Sequence, residues 1–195
     1  MPDSILALME PYHLNEQHLW LALEVLAVLT VLLLLFRKPL QHWRQERQIR
    51  RALKRLGARG LQNIRLPDGL GSEVMIDNLL LATDAILVVD VKRFDGLIFG
   101  GSKTDIWTQV INKHSYRFPN PDQQLQLQVA AVRTIVPRVP VRGLHLFTHK
   151  SKFPKGKPPG VLQLADIRKQ PRRPRLKDIP AELRSAWEEL CTSLP

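Results

Sequence analysis

Two aspartates and a lysine, Asp77, Asp90 and Lys92, stand in two mostly apolar runs. Val74–Leu81 (VMIDNLLL) and Ala85–Lys92 (AILVVDVK) read as two strands with only Ala82, Thr83 and Asp84 between them, which predicts a hairpin. A two-residue loop at Thr83-Asp84 sets Asp77 directly opposite Asp90, where facing Cβ atoms lie about 4.5–5.5 Å apart and two carboxylates repel. Alternation along the strand puts Lys92 on the same face as Asp90. A hard divalent cation resolves that repulsion, and Mg²⁺ needs few carboxylates because it keeps several waters. The plainer reading is an aspartate that satisfies a backbone donor, with Lys92 as its ion-pair partner. A three-residue loop would shift the register by one.

The elements that position these residues can be read from the flanks. Gln45–Leu56 (QERQIRRALKRL) places Ile49, Leu53 and Leu56 at helical spacing, with Gly57 and Gly60 ending the helix. Leu61–Leu66 reads as a short strand closed by the turn signal Pro67-Asp68-Gly69. Gly96–Gly101 and Ile106–Ile111 read as further short strands, and Val141–Phe147 as another. Asn120-Pro121-Asp122 opens a helix expected to run to about Val136, with Asn120 as cap, Pro121 in the first turn and Asp122 suited to the helix dipole. The apolar stripe of that helix is Leu125, Val129, Val132 and Val136. The order of helix, strands, helix and strand predicts an α/β fold, a mixed sheet flanked by helices.

Several ordered pieces of this chain resemble the nuclease-related domain family, a branch of the PD-(D/E)xK nuclease superfamily. Glu46-x-x-Ile49 is similar to the family's Gly-Glu-x-x-Val, with Gln45 in the glycine's place. Ile76-Asp77-Asn78-Leu79 is similar to Ile-Asp-His-Leu, with Asn78 for His. Val88-Val89-Asp90-Val91-Lys92 is similar to Val-Ile-Glu-x-Lys, with Asp for Glu. Gly96-Leu97-Ile98-Phe99-Gly100, Trp107 and Asn120-Pro121-Asp122-Gln123-Gln124 resemble its later elements. The resemblance spans about Gln45 to Phe147 and implies a restriction-endonuclease-like core that cleaves nucleic acid with Mg²⁺ or Mn²⁺. By position, Asp77, Asp90 and the Val91 carbonyl would hold the metal. Lys92 would orient the attacking water, Glu46 would join through a water, and Gln124 would hold the water or the scissile phosphate. Trp107 is expected in the core, and His145 and His149 as structural or exposed residues.

Charge and hydropathy set the surroundings. The net charge is +11, from 29 Lys+Arg against 18 Asp+Glu. Residues 37–59 hold nine basic residues and one acid, residues 150–177 ten and one, while 60–149 are nearly balanced. One cysteine excludes an intramolecular disulfide framework and a Cys-based zinc finger, and no GxxxxGK[ST] loop is present. Leu19–Phe36 is an 18-residue run with a single charge, Glu24, about 27 Å long as a helix and hence near the thickness of a bilayer core. Basic residues follow the run and none precede it, which predicts a single-pass inner-membrane protein with its N-terminus outside and the rest cytoplasmic.

The chain is therefore divided into an outer segment 1–18, a span 19–36, a nuclease-like domain 37–148, a basic proline-rich segment 149–178 and a terminal helix 179–195. In the basic segment Val161–Leu164 reads as an edge strand, and Lys150, Lys152, Lys155, Arg172, Arg173 and Arg175 are the candidates to contact phosphates. Two functions are open at this point: a membrane-anchored, metal-dependent nuclease, or a non-catalytic module that keeps the fold and tethers nucleic acid or membrane. A homodimer or a partner protein would supply specificity in the first case.

Overall fold

The computed structural model describes residues 16–67, 71–148, 150–169 and 173–194, with side chains from Trp20 onward. The turn residues Asp68 and Gly69, His149, Arg172 and most of the segment 1–18 lie outside the described residues. Two units are distinguished, one ending at Arg44 and one from Gln45 to the C-terminus.

In the first unit the chain is helical from Glu16, the start of α1 (Glu16–Leu56). The two helices expected at 19–36 and 45–56 are thus one element that continues through Pro39. Its apolar stretch is exposed throughout, with Trp20 68% and Leu33 70% accessible. The helix that contains it is long and apolar enough to cross a membrane, with a mean hydropathy of 2.2 over the best window.

The second unit is a mixed α/β fold built on two sheets. The larger has the order β1-β2-β3-β7-β9, from β1 (Arg59–Pro67), β2 (Glu73–Leu81), β3 (Ile86–Lys92), β7 (Val141–Phe147) and β9 (Val161–Gln163). β1, β2 and β3 are antiparallel neighbours, whereas β3, β7 and β9 run parallel. The smaller sheet has the order β6-β5-β4-β8, from β4 (Gly96–Phe99), β5 (Ile106–Ile111), β6 (His114–Pro119) and β8 (Ser151–Lys152).

Helices cover both faces of the large sheet. On one face, Leu125, Val129 and Val132 of α2 (Asp122–Ile135) and Leu183, Trp187 and Leu190 of α4 (Ala181–Thr192) bury Leu79, Leu81, Ile86 and Val88. On the other face, Ile49, Leu53 and Leu56 of α1, with Leu164 and Ile167 of α3 (Leu164–Arg168), bury Leu80, Val89 and Leu146. Each buried Leu or Ile contributes about 1.5–3 kcal/mol, so these two layers fix β3 and β7 as the central strands. The small sheet has its own core of Ile98 and Trp107 with Phe147 and Val161.

The expected strands and the helix after Asn120 are present with ends shifted by at most two residues, and the expected terminal helix runs Ala181–Thr192. Unforeseen are β6, β8, α3 and the separate small sheet. The edge strand at Val161 is present as β9, and the basic segment around it packs Val161, Leu164 and Ile167 into cores rather than standing apart.

Candidate active site

The β2–β3 hairpin has the register expected from its two-residue loop: Leu79 pairs Val88, Leu80 pairs Leu87 and Leu81 pairs Ile86, with Ala82 N donating to Ala85 O at 3.0 Å. The β2–β3 ladder stops at Leu79–Val88, so Asp77 and Asp90 lie just beyond it, with Asp90 paired on its other side to β7. Asp77 marks a break in alternation. Leu79, Leu81 and Ile76 all reach the same core, which regular period-two geometry forbids. Across from Asp77, Asn63 has φ 53° and is skipped by the β1–β2 pairing, the signature of a local distortion that re-aims side chains. Asp77 is consequently exposed, and among the described residues no ion pair holds its carboxylate.

Asp90 sits one strand in, its side chain 12% exposed. Lys92 Nζ lies 2.8 Å from Asp90 Oδ2, as same-face geometry requires. The parallel register pairs Asp90 with His145 on β7, and His145 Nδ1 lies 3.1 Å from the same Oδ2. His145 Nε2 lies 2.9 Å from Oδ1 of Asp122, the first residue of α2. The ring is wholly buried. Burial alone would raise the Asp90 carboxyl, but the hydrogen bonds from His145 and Lys92, with their charges, outweigh it and hold it below its ordinary value. Asp90 Oδ1 is left open by these bonds.

The other candidates are distributed around this chain of contacts. Val91, next to Asp90, belongs with the opposite-face core on the α1 side. Glu46 is held by Arg93, whose Nη2 lies 2.8 Å and Nε 2.9 Å from its Oε1, so the residue after Lys92 binds α1 to the end of β3. Gln124 is exposed in the first turn of α2. Its helical neighbour Gln128, on the same face one turn on, is buried and donates to Met75 O at 2.8 Å, tying α2 to β2 close to Asp77. Lys150 lies 3.4 Å from Asp95, beside the end of β3. Lys152, on β8, and Lys155 are exposed. Arg173 and Arg175 are elsewhere, at a cleft near the start of β3.

Asn120 does not occupy the cap position itself, which is Pro121, but its Oδ1 still accepts the Asp122 N–H at 2.9 Å, while its Nδ2 donates to Thr104 O at 2.9 Å. Asp122 is thereby pinned where His145 meets it. Trp107 is fully buried as expected, and a Cβ on Gly100 would come within 2.2 Å of its indole. Gly96 has φ +84° and a Cβ there would strike Val110 O at 2.2 Å, so both glycines serve close approach within the small sheet.

A family model, the nuclease-related domain, matches residues 41–148, more than half of the chain and the stretch that holds the Asp-x-Lys pair. The chain belongs to the nuclease-related domain family. Within the matched span of this nuclease-related domain lie Glu46, Asp77, Asp90, Lys92, Asp122, Gln124 and His145. An uncharacterized protein of Bacillus anthracis is 27% identical over 118 residues, covering 57% of this chain and 56% of that protein. The chain thus matches little more than half of its relative's length. No solved structure matches it.

His145 is the functional candidate that the sequence did not reveal. Its partners come from β3 and α2, and only the parallel register of β7 brings the three together. A histidine set among Leu144, Leu146 and Phe147 in the second half of β7 is the one signal the sequence carries.

Proposed function

We propose that the protein is a membrane-anchored nuclease that hydrolyses phosphodiester bonds with a divalent metal held at Asp90. The observation that carries this reading is the Lys92–Asp90–His145 arrangement at the end of β3, inside a nuclease-related domain.

The donor set fits a hard cation. Among the described residues no group of three His, Cys, Asp or Glu side chains is placed to hold a metal, which disfavours zinc-like closed sites. Mg²⁺ keeps several waters and takes one or two carboxylates, which is what Asp90 Oδ1 and the unpaired Asp77 offer, with the Val91 carbonyl as a third oxygen. When bound, such an ion supplies Lewis-acid stabilisation of the phosphoryl oxygens and lowers the pKa of water. Lys92 supplies the rest from the protein side. Its ammonium, fixed by Asp90 Oδ2, orients the attacking water and offsets charge that develops on the phosphate. His145 holds Asp90 by the oxygen that Lys92 also binds, and so leaves Oδ1 directed to the ligand. Gln124 and Lys150 are the groups positioned to meet the substrate from α2 and from the loop before β8.

The helix through Leu19–Phe36 supports the anchored part of this reading, with the basic residues after it favouring a cytoplasmic nuclease domain. The alternative, a fold kept for tethering, is favoured by Gln45 and Asn78 standing where the family has Gly and His. Asn78 here is structural: its Nδ2 donates to Val89 O and its Oδ1 accepts from Gln62, bracing the hairpin.

A calorimetric titration of the detergent-solubilised full chain with Mn²⁺ tests the metal reading. Wild type is expected to bind at a single site, and Asp90→Asn to weaken that binding at least tenfold, about 1.4 kcal/mol. Binding of Mn²⁺ unchanged by Asp90→Asn would contradict the assignment of the site.

A further inference from the structure

Five cations that the candidate active site does not use line a cleft at the other end of β3. The cleft, of about 940 Å³, is walled by Arg55, Arg142, Arg173, Arg175 and Lys177, against two acids, Asp84 and Asp178, which leaves five minus two, or three, positive charges in surplus. Its floor is apolar, from Leu56, Leu87, Leu144 and Leu162. A second hollow of about 290 Å³ shares Arg173 as a wall and adds Arg50, Lys54 and Arg59.

Pairing within this surface neutralises little of it. Asp84 is taken by Arg142 and Arg59 by Glu188. The Asp178 carboxylate accepts the backbone N–H of Arg175 at 3.2 Å. Arg55 donates to Arg168 O at 3.2 Å and Arg173 to Ala58 O at 3.0 Å. A carbonyl orients a guanidinium without cancelling its charge, so these two arginines are held in place yet free to meet an anion, and less side-chain entropy is lost on binding. The two hollows with Arg173 between them form a track rather than one socket. A repeating anion fits a track, and a concave track admits a strand better than it admits the plane of a bilayer.

Leu87, in the floor of the cleft, precedes Asp90 by three residues and Lys92 by five on one strand, about 10 and about 16 Å at the usual rise. A phosphate in the cleft is therefore a different one from any phosphate at Asp90. We propose that this cleft is an exosite that grips the phosphodiester backbone of a nucleic-acid strand at a distance from the candidate cleavage site. The proposal rests on the nuclease reading for the class of ligand, but not on cleavage.

The test is binding in EDTA, where the failure of catalysis would leave the readout intact. Fluorescence-labelled single-stranded and duplex oligonucleotides are titrated with the full chain in detergent across a salt series. Arg173→Glu/Arg175→Glu/Lys177→Glu is compared with a reversal of the same three charges on the small sheet, Lys103→Glu/Lys113→Glu/Arg117→Glu. Thermal melting checks the folding of both. Arg175→Glu/Lys177→Glu, which spares the Arg173 bond to Ala58, is the second variant should the triple one unfold. The cleft variants are expected to lose at least tenfold in affinity and to flatten the slope of log K on log salt by about 0.7–0.9 for each phosphate contact removed. The small-sheet control is expected to lose markedly less. Equal losses in cleft and control variants, or undiminished affinity in the cleft variants, would overturn the exosite. So would a wild type that binds neither oligonucleotide, or a loss confined to binding of phosphatidylserine vesicles.

Discussion

Asp90 has two oxygens with separate duties. Oδ2 accepts from Lys92 and meets the His145 ring, and Oδ1 is the one left for a ligand. The division depends on His145, which is wedged without solvent between Asp90 and Asp122. His145→Ala would leave both carboxylates facing a vacated space, and is expected to cost about 1–3 kcal/mol of stability and to lower activity. His145→Gln, which can restore one of the two bonds, is expected to recover part of the stability measured by thermal melting while turnover stays low and KM for the nucleic acid stays unchanged. A full return of turnover in His145→Gln would assign the residue to packing alone. Asp90 and Lys92 were legible in the sequence because alternation along one strand needs no tertiary knowledge. His145 was not, because its role arises from a pairing between strands more than fifty residues apart.

At the scale of elements, the hairpin and α2 do most of the positioning. The loop Thr83-Asp84 fixes the register, and two side-chain bonds, Asn120 to the start of α2 and Gln128 to Met75 O, set the helix against β2 and β7. These elements were readable because they carry strong patterns, such as the stripe Leu125, Val129 and Val132. β6, with the sequence HSYRFP, alternates only Tyr116 and Phe118 with Ser115 and Arg117 before Pro119 ends it, and β8 and α3 are shorter still, too short for a periodic signal. α3 instead depends on a local polar device: Asp166 accepts the Gln163 N–H at 2.8 Å and pairs with Lys157. The hydrogen bond from Lys157, against a smaller opposing effect of burial and helped by the Gln163 N–H, holds the Asp166 carboxyl below its ordinary value. A lowered folded value means that this contribution is present above the unfolded carboxylate value of about 3.9 and is lost as pH falls through the folded one. Amide exchange at Gln163 is expected to accelerate relative to the rest of the sheet as pH drops through that window, after correction for intrinsic rates. Asp166→Ala, which removes the acceptor, should show fast exchange already at neutral pH. An Asp166→Ala profile identical to wild type would refute the capping role.

The whole molecule joins an apolar helical stretch, a nuclease-related domain and a basic surface split between two ends of one sheet. The split was invisible in the sequence, where Lys150 to Lys177 form one run: folding sends Lys150 beside Asp95 and Arg173 to the opposite cleft. The exposed stretch from Trp20 to Phe36 makes membrane association the expected behaviour of the full chain, with carbonate-resistant pelleting and release by detergent. Removal of residues 1–36 should shift the remainder to the soluble fraction, and a full chain recovered by carbonate washing would contradict the anchor. Asp90 and Lys92 are expected to cut phosphodiester bonds with a metal, and a cleavage assay decides whether they do. Labelled single- and double-stranded DNA and RNA are incubated with the full chain in Mg²⁺, Mn²⁺ or EDTA, beside Asp90→Ala and Lys92→Ala. The expected result is cleavage of at least one substrate that stops in EDTA and falls by a factor of about 10² or more in either variant. Cleavage that persists in both variants, or its absence from wild type with every substrate and metal, would rule out that role for Asp90 and Lys92.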